Sequence, residues 1–102
     1  MTLSAERVRR ALEAVIDPEL MLNIVELGLI RDVIVSATHV QVHMTLTFPG
    51  CPYGPELMER ALTEIKAVAE GREPVLELVW RPPWDPRTDA SEEVKAELGI
   101  WD

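Results

Sequence analysis

Apolar residues recur at helical spacing in two stretches of the chain and alternate with polar residues between them. The first stretch predicts a helix over residues 5–16, with Ser4 as its N-cap and Asp17-Pro18 as its end. The second predicts a helix over residues 55–70 that stops at Gly71. The apolar stripes indicate that each helix buries one face.

The alternating stretch predicts a strand over residues 39–47. A shorter run over residues 30–36 precedes it, so the two should pair as an antiparallel hairpin. A third, short strand is predicted over residues 75–80. One row of the 39–47 strand is apolar and should face the helices. The opposite row should face solvent or a partner, and it comprises Gln41, His43, Thr45 and Thr47.

The remaining segments complete the predicted architecture. Residues 17–29 are too apolar for an exposed linker and should pack on the core as irregular chain or a short helical turn. Prolines over residues 81–86 exclude a central strand, and a last short helix is predicted over residues 90–98. The order α-β-β-α-β predicts an α/β (α+β) fold, a two-layer sandwich with helices on one face of a small mixed sheet. Residues 1–102 are expected to form a single domain. Strand order does not follow from these patterns.

Composition and charge exclude several classes of protein. The formal charge is −8 and the ten basic residues are scattered, whereas nucleic-acid binding needs clustered Lys and Arg. We therefore expect no nucleic-acid partner. No apolar run approaches the roughly 18 residues of a membrane helix, and the N-terminus has no apolar signal core. With one cysteine and no possible internal disulfide, we expect a cytoplasmic protein.

The turn from Thr45 to Pro55 is the first candidate site, because it joins the alternating strand to the second helix and holds the only cysteine. Cys51 falls just before the predicted helix, where the positive end of the helix dipole and unpaired N–H groups lower the pKa of a thiol. A thiolate there can attack an electrophile or bind a soft metal. The alternative is a buried cysteine that acts as a small hydrophobe.

The chain lacks the donors for a closed metal site. It has no C-x-x-C motif, and His39 and His43 are its only imidazoles. A structural zinc site takes four protein ligands and an ordinary iron–sulfur cluster takes four thiolates. A cluster at Cys51 would therefore need ligands from another protomer, a partner or a small thiol. Cys–His chemistry with His43 stays open, although a solvated strand histidine is the simpler interpretation.

Two further candidates are proline turns. Asp17-Pro18-Glu19 has Asn23 and Glu26 beyond it, and such carboxylates ligate metal, act in acid/base chemistry or cap backbone N–H groups. Capping is the simplest interpretation. Pro82-Pro83-Trp84 is a rigid turn whose indole either covers the core or offers an edge for a partner.

Five short motifs occur in a characteristic order along the chain. They are Asp17-Pro18-Glu19, Asn23 to Ile30, Met44 to Pro52, Pro82-Pro83-Trp84 and Leu98-Gly99-Ile100. Together they resemble the metal–sulfur cluster biosynthesis domain family, which includes the bacterial SufT proteins, the PaaD proteins of phenylacetate degradation and the eukaryotic cytosolic iron–sulfur targeting factors. The resemblance covers almost the whole chain and is closest to SufT.

The resemblance implies an iron–sulfur-assembly-type domain with an accessory role in maturing iron–sulfur proteins and no independent catalysis. It implies that Cys51 is the reactive residue, either as a transient metal or cluster ligand or as a sulfur-handling nucleophile. The implied partners are an assembly scaffold and apo-protein clients, and the implied cofactor is a transient iron–sulfur cluster or iron that one chain does not hold stably. The site implied around the thiol comprises Asp17, Glu19, Asn23, Glu26, Thr45, Thr47 and Gly50.

Two features depart from the family pattern. Phe48 stands where the family often has a small polar residue, which would alter access to the thiol, and no cysteine-rich part like that of PaaD follows Asp102. Two alternative functions stay open: a non-catalytic adaptor that docks scaffold and client, and a PaaD-like component of an aromatic-degradation oxygenase system. A homo-oligomer is expected, since symmetric assemblies are common and one would bring two Cys51 side chains together.

Overall fold

The computed structural model describes residues 3–47, 50 and 52–99. Cys51, the predicted reactive residue, lies outside the described residues, as do Phe48 and Pro49. The elements run in the order α1 (Ala5–Leu12), β1 (Ile16–Asp17), β2 (Leu22–Asn23), β3 (Ile30–Val35), β4 (His39–Met44), α2 (Gly54–Val68), β5 (Glu73–Leu78), α3 (Pro86–Asp89) and α4 (Glu92–Glu97).

The main sheet has three strands in the order β3-β4-β5. β3 and β4 form the predicted antiparallel hairpin, with Val33 opposite Val42. β5 pairs with β4 in parallel, with Leu76 opposite Val42. Parallel neighbours need a crossover, and α2 provides it. The predicted small mixed sheet in an α/β fold is therefore confirmed, and the structure adds the strand order.

Both long helices lie on one face of this sheet. α1 contacts β3 and α2, and α2 contacts β5. Apolar side chains that repeat at helical spacing meet the apolar row of β4 there, so the two layers share one core. Its fully buried members include Val8, Leu12, Val40, Val42, Met44, Ala61 and Ile65.

The first helix is shorter than the sequence pattern predicts. Ser4 caps it as expected, since its Oγ accepts from the backbone N–H of Arg7 at 3.1 Å. The helix ends at Leu12, so the predicted last turn to Ile16 is wrong. After Leu12 the backbone N–H groups of Glu13, Ala14 and Val15 make tighter hydrogen bonds to the residue three positions earlier, and the β-branched residues that follow favour extended backbone. Ile16–Asp17 instead pairs with Leu22–Asn23 as a small antiparallel hairpin at the start of the connector, the segment over residues 17–29.

The alternating strand also ends early. β4 stops at Met44, although the backbone N–H of Thr45 still donates to the carbonyl of Leu29, next to the Ile30–Met44 pair, at 2.8 Å. Thr45 is consequently fully buried, so the prediction that it faces solvent or a partner is wrong. β5 covers Glu73–Leu78 rather than residues 75–80, and its Pro74 is accommodated because β5 is an edge strand.

The predicted terminal helix over residues 90–98 is confirmed in shorter form as α4, Glu92–Glu97. A short turn of helix, α3, is followed by α4, which Ser91 caps by accepting from the backbone N–H of Val94 at 3.2 Å. The backbone N–H of Ser91 donates to the carbonyl of Glu26 at 2.8 Å, so it is not available to extend a helix through this position. In the described parts of the chain, none of the helices combines the length and apolarity that crossing a membrane requires.

Gly28 allows the connector and the C-terminal segment to meet. Its φ is +84°, in the left-handed region that side chains disfavour. A Cβ at this position would collide with the backbone carbonyl of Asp89. Gly71 has a similar φ of +86°, but an added Cβ there would meet no atom within 4 Å.

These two glycines therefore form a matched pair for a stability test. We expect Gly71→Ala to lower the free energy of unfolding by about 1 kcal/mol, the usual strain of a left-handed residue. Gly28→Ala should cost at least about 1 kcal/mol more, because the methyl group also overpacks the contact. Urea denaturation followed by circular dichroism measures both. Equal losses would show that the close approach to Asp89 does not matter.

Candidate functional site

A cavity of about 260 Å³ lies at the end of the sheet where β4 and β5 terminate. Three separate parts of the chain meet there: the turn after β1, the segment after β4 and the C-terminal segment (residues 79–99). Its lining residues are Asp17, Glu19, Leu20, Thr47, Trp84 and Leu98. The structure thus brings together three residues of the predicted site, Asp17, Glu19 and Thr47.

Asp17 shapes the turn that lines one side of the cavity. It is only 2% exposed, and its Oδ1 accepts from the backbone N–H groups of Glu19 at 2.8 Å and Leu20 at 3.1 Å. Its Oδ2 has no hydrogen-bond partner among residues 3–47, 50 and 52–99. One oxygen therefore builds the turn, and the other is available to the cavity.

Asn23 and Glu26, which the resemblance assigns to the site around the thiol, lie outside the cavity lining. Asn23 Oδ1 accepts from the backbone N–H of Glu26 at 2.9 Å, which closes the next turn of the connector. The carbonyl of Glu26 accepts from Ser91, as described above. Neither side chain belongs to the cavity lining in the described structure. Both residues therefore act on the backbone that supports the cavity.

The C-terminal segment closes the other side of the cavity. Trp84 donates its Nε1–H to the carbonyl of Leu27 at 2.6 Å, which fixes the half-buried indole against the connector. The proline turn is thus a lid on the core rather than a free edge. The more exposed indole of this segment is Trp80, at 38%.

Arg31 is a residue that the sequence reasoning missed. It is the extra residue of a bulge in β3, because Ile30 and Asp32 oppose consecutive residues of β4. Its guanidinium donates from Nη2 to the carbonyl of Pro82 at 2.7 Å and lies 3.4 Å from Asp89 Oδ2. Arg31 therefore holds the C-terminal segment in place. The available signal was the charged pair Arg31-Asp32 between two apolar segments.

The turn from Thr45 to Pro55, called the thiol turn below, is described only on either side of Cys51. Gly50 and Pro52 are exposed, and α2 begins at Gly54. Tyr53 is the N-cap and makes no side-chain capping bond within the described structure. The first N–H groups of an α-helix lack intrahelical partners, so this end carries positive character. Since Cys51 lies outside the described residues, its predicted roles stay predictions.

Both histidines lie on the open face of the sheet, away from the helices. His39 Nε2 is 3.2 Å from Glu73 Oε2, and His43 Nε2 is 3.5 Å from Glu77 Oε2. Neither lines the cavity. Among the described residues, no group of three or more His, Cys, Asp or Glu side chains is arranged to hold a metal ion.

Comparison with known proteins connects this architecture to a family. The sequence model of the iron–sulfur cluster assembly protein family matches residues 5–75, which include α1 through β4, the thiol turn and α2. The chain belongs to this family. The match confirms the resemblance that the five motifs indicate, and it covers the cavity residues Asp17, Glu19, Leu20 and Thr47.

Named relatives and a solved structure agree with this assignment. The chain is 39% identical over 98 residues to the Fe-S protein maturation auxiliary factor YitW of Bacillus subtilis, covering 93% of each chain. It is 40% identical over 87 residues to the Fe-S protein maturation auxiliary factor SufT of Staphylococcus aureus, covering 84% of this chain and 98% of that one. A conserved hypothetical protein from Thermotoga maritima superposes with a TM-score of 0.85 at 35% identity, covering 98% of this chain and 100% of the other.

The two functions of Asp17 can be separated by substitution. We expect Asp17→Ala to lower the free energy of unfolding by about 1–3 kcal/mol, because two turn N–H groups lose their acceptor. Asp17→Asn keeps an oxygen in the Oδ1 position and should cost clearly less. Parallel urea denaturation of both variants measures the difference. If the two substitutions are equally costly, the acceptor at Oδ1 is not what stabilises the turn.

Proposed function

We propose that this chain is an accessory factor in the assembly of iron–sulfur clusters or in their delivery to apo-proteins. The observation that carries the proposal is family membership over residues 5–75, together with relatives of 39% and 40% identity that are named Fe-S protein maturation auxiliary factors. The chain would work without independent catalysis, in the cytoplasm, and residues 1–102 would form one domain.

In this proposal the cluster, or its iron, is cargo. The chain has one cysteine, whereas an ordinary cluster takes four thiolates, so one chain cannot supply the full ligand set. The Cys51 thiolate would replace one ligand of the cargo and would itself be replaced by a thiolate of the client. This ligand exchange needs no oxidant or reductant. The remaining ligands would come from the scaffold, the client, a small thiol or a second copy in a homo-oligomer.

The described residues support this proposal through their placement in the chain. Thr47 lines the cavity and precedes Cys51 by four positions. Asp17 and Glu19 line the same cavity, so we assign them to the surroundings of the cargo or of its carrier. Asn23, Glu26 and the buried Thr45 would act indirectly, by holding the backbone. Gly50 is exposed and directly precedes Cys51 in the sequence.

The role of the thiol is tested by Cys51→Ser. We expect this variant to lose support of iron–sulfur enzyme activity in a bacterial host that lacks its own maturation auxiliary factor. Serine keeps the size of the side chain but is a poor soft-metal ligand and a poor nucleophile at neutral pH. Ala37→Ser, in the exposed turn between β3 and β4, is the matched control and should retain full activity.

Normal maturation with Cys51→Ser would exclude the thiol as ligand or nucleophile and would favour the adaptor alternative. The appropriate partner test is then Trp80→Ala, because Trp80 is exposed whereas the Trp84 indole is bonded to Leu27. Loss of client capture with Trp80→Ala alone would support docking without chemistry.

The pKa of the Cys51 thiol provides a second, independent test. Because Cys51 precedes the N-terminus of α2 by three residues, we expect its alkylation rate to rise with pH with a midpoint below the usual thiol value of about 8.5. The same protein unfolded in urea is the control, since the helix dipole is then absent and the midpoint should return to about 8.5. A midpoint in the folded protein at or above that of the unfolded chain would contradict activation by the helix.

A further inference from the structure

We propose that the cavity at the end of the sheet receives the cationic side chain, lysine or arginine, of a partner protein. The charged end would lie against Asp17 and Glu19, and the aliphatic stem would lie along the apolar walls. This inference deepens the proposed function by naming a contact with the scaffold or client. Only the identity of the partner depends on the proposed function.

The first argument is the unbalanced charge of the cavity. Asp17 and Glu19 both line it, and none of the six lining residues in the described structure is basic. Neither carboxylate forms an ion pair within the described parts of the chain. Arg31, whose Nη2 contacts Pro82 and Asp89, does not line the cavity. A cation is therefore the complement that this cavity lacks.

The second argument is the burial of Asp17. Its Oδ1 accepts two backbone N–H groups, and Oδ2 makes no hydrogen bond within the described structure. The residue as a whole is 2% exposed, but Oδ2 itself is not fully buried and so stays accessible from the cavity. A carboxylate withdrawn from water is costly unless it is paired. Charge-assisted hydrogen bonds to such an oxygen are stronger than neutral ones. An ammonium or guanidinium group would satisfy Oδ2 directly.

The third argument is the chemistry of the other walls. Leu20, Leu98 and Trp84 surround the carboxylates with apolar surface, and the Trp84 N–H is occupied by the carbonyl of Leu27. The indole therefore offers ring carbon atoms and no donor. Lysine and arginine place an aliphatic stem on apolar surface while their charged end reaches a polar group. A hydrated metal ion would gain nothing from these walls.

The fourth argument is size. At about 260 Å³ the cavity is smaller than the roughly 300–1,000 Å³ of ordinary small-molecule sites. It suits one side chain better than a whole cofactor. The formal charge of −8 would favour approach of a basic partner surface to the molecule as a whole.

The test follows the indole N–H signal of Trp84 in ¹⁵N-labelled protein by NMR, assigned with Trp84→Phe. The probes are the capped peptides acetyl-Ala-Lys-Ala-amide and acetyl-Ala-Arg-Ala-amide. Norleucine and citrulline peptides are their uncharged counterparts. We expect the cationic peptides to shift the signal saturably, with a dissociation constant on the order of 1 mM, and the uncharged peptides to cause no saturable shift. Raising the salt from about 0.02 M to about 0.2 M should weaken the binding.

Charge-removing variants locate the binding. Asp17→Asn keeps the turn acceptor and should weaken the affinity at least about tenfold, the change that corresponds to about 1.4 kcal/mol. Glu19→Gln, at an exposed position that folding tolerates, should weaken it about threefold. Glu59→Gln is the matched control, because Glu59 is exposed on α2 and does not line the cavity. It should leave the affinity unchanged.

Several results would overturn the proposal. Equal shifts with norleucine and citrulline peptides would show that charge is irrelevant. Equal effects of Glu19→Gln and Glu59→Gln would place the binding elsewhere. Binding of n-butylguanidinium or Mg²⁺ without binding of either cationic peptide would indicate a site for free cations. The titration does not depend on cluster maturation. A failed titration would therefore say nothing against the role of Cys51, and normal maturation with Cys51→Ser would say nothing against binding of the cationic peptides.

Discussion

The hydrogen bond from the Trp84 indole to the carbonyl of Leu27 is the contact on which the site depends. It joins residues 57 positions apart in the sequence and holds the proline-rich segment across the connector. The bond from Ser91 to Glu26 and the reach of Arg31 to Pro82 reinforce the same crossing. Without this crossing, Trp84 and Leu98 would not line the cavity, and the carboxylates of Asp17 and Glu19 would face open solvent.

The C-terminal segment can hydrogen-bond to the connector because the connector is irregular. A regular helix over residues 17–29 would use its carbonyls internally, and a regular strand would use them in a sheet ladder. The turns leave the carbonyls of Glu26 and Leu27 free to accept from the C-terminal segment. Gly28 lets the backbone of Asp89 approach closely between them. Asp17 and Asn23 stabilise the turns by accepting backbone N–H groups. Residues that look catalytic in the sequence thus serve partly as supports.

The parallel pairing of β4 and β5 decides which parts of the chain meet. Their carboxyl ends lie at the same end of the sheet, so the segment with Thr47 and the segment with Trp84 leave from neighbouring positions. The histidines, in contrast, project from the open face of the sheet. This topology places acidic and apolar groups together and keeps the imidazoles apart from them. This arrangement is consistent with the proposed binding of a partner's cationic side chain.

The sequence alone determined the α/β class, the β3–β4 hairpin, the extent of α2 within two residues at each end, and the family. Helical and alternating periodicities report which face of a segment is buried, and these segments are long enough for the pattern to be clear. The sequence also marked the two turns whose residues Asp17, Glu19 and Thr47 line the cavity. Tertiary structure decided the rest: the early end of α1, the burial of Thr45, the bond from Ser91 to Glu26 and the role of Arg31. The last three depend on hydrogen bonds between residues far apart in the sequence, and the early end of α1 accompanies the pairing of β1 with β2. Local periodicity carries no record of which segment or which distant carbonyl will be the partner.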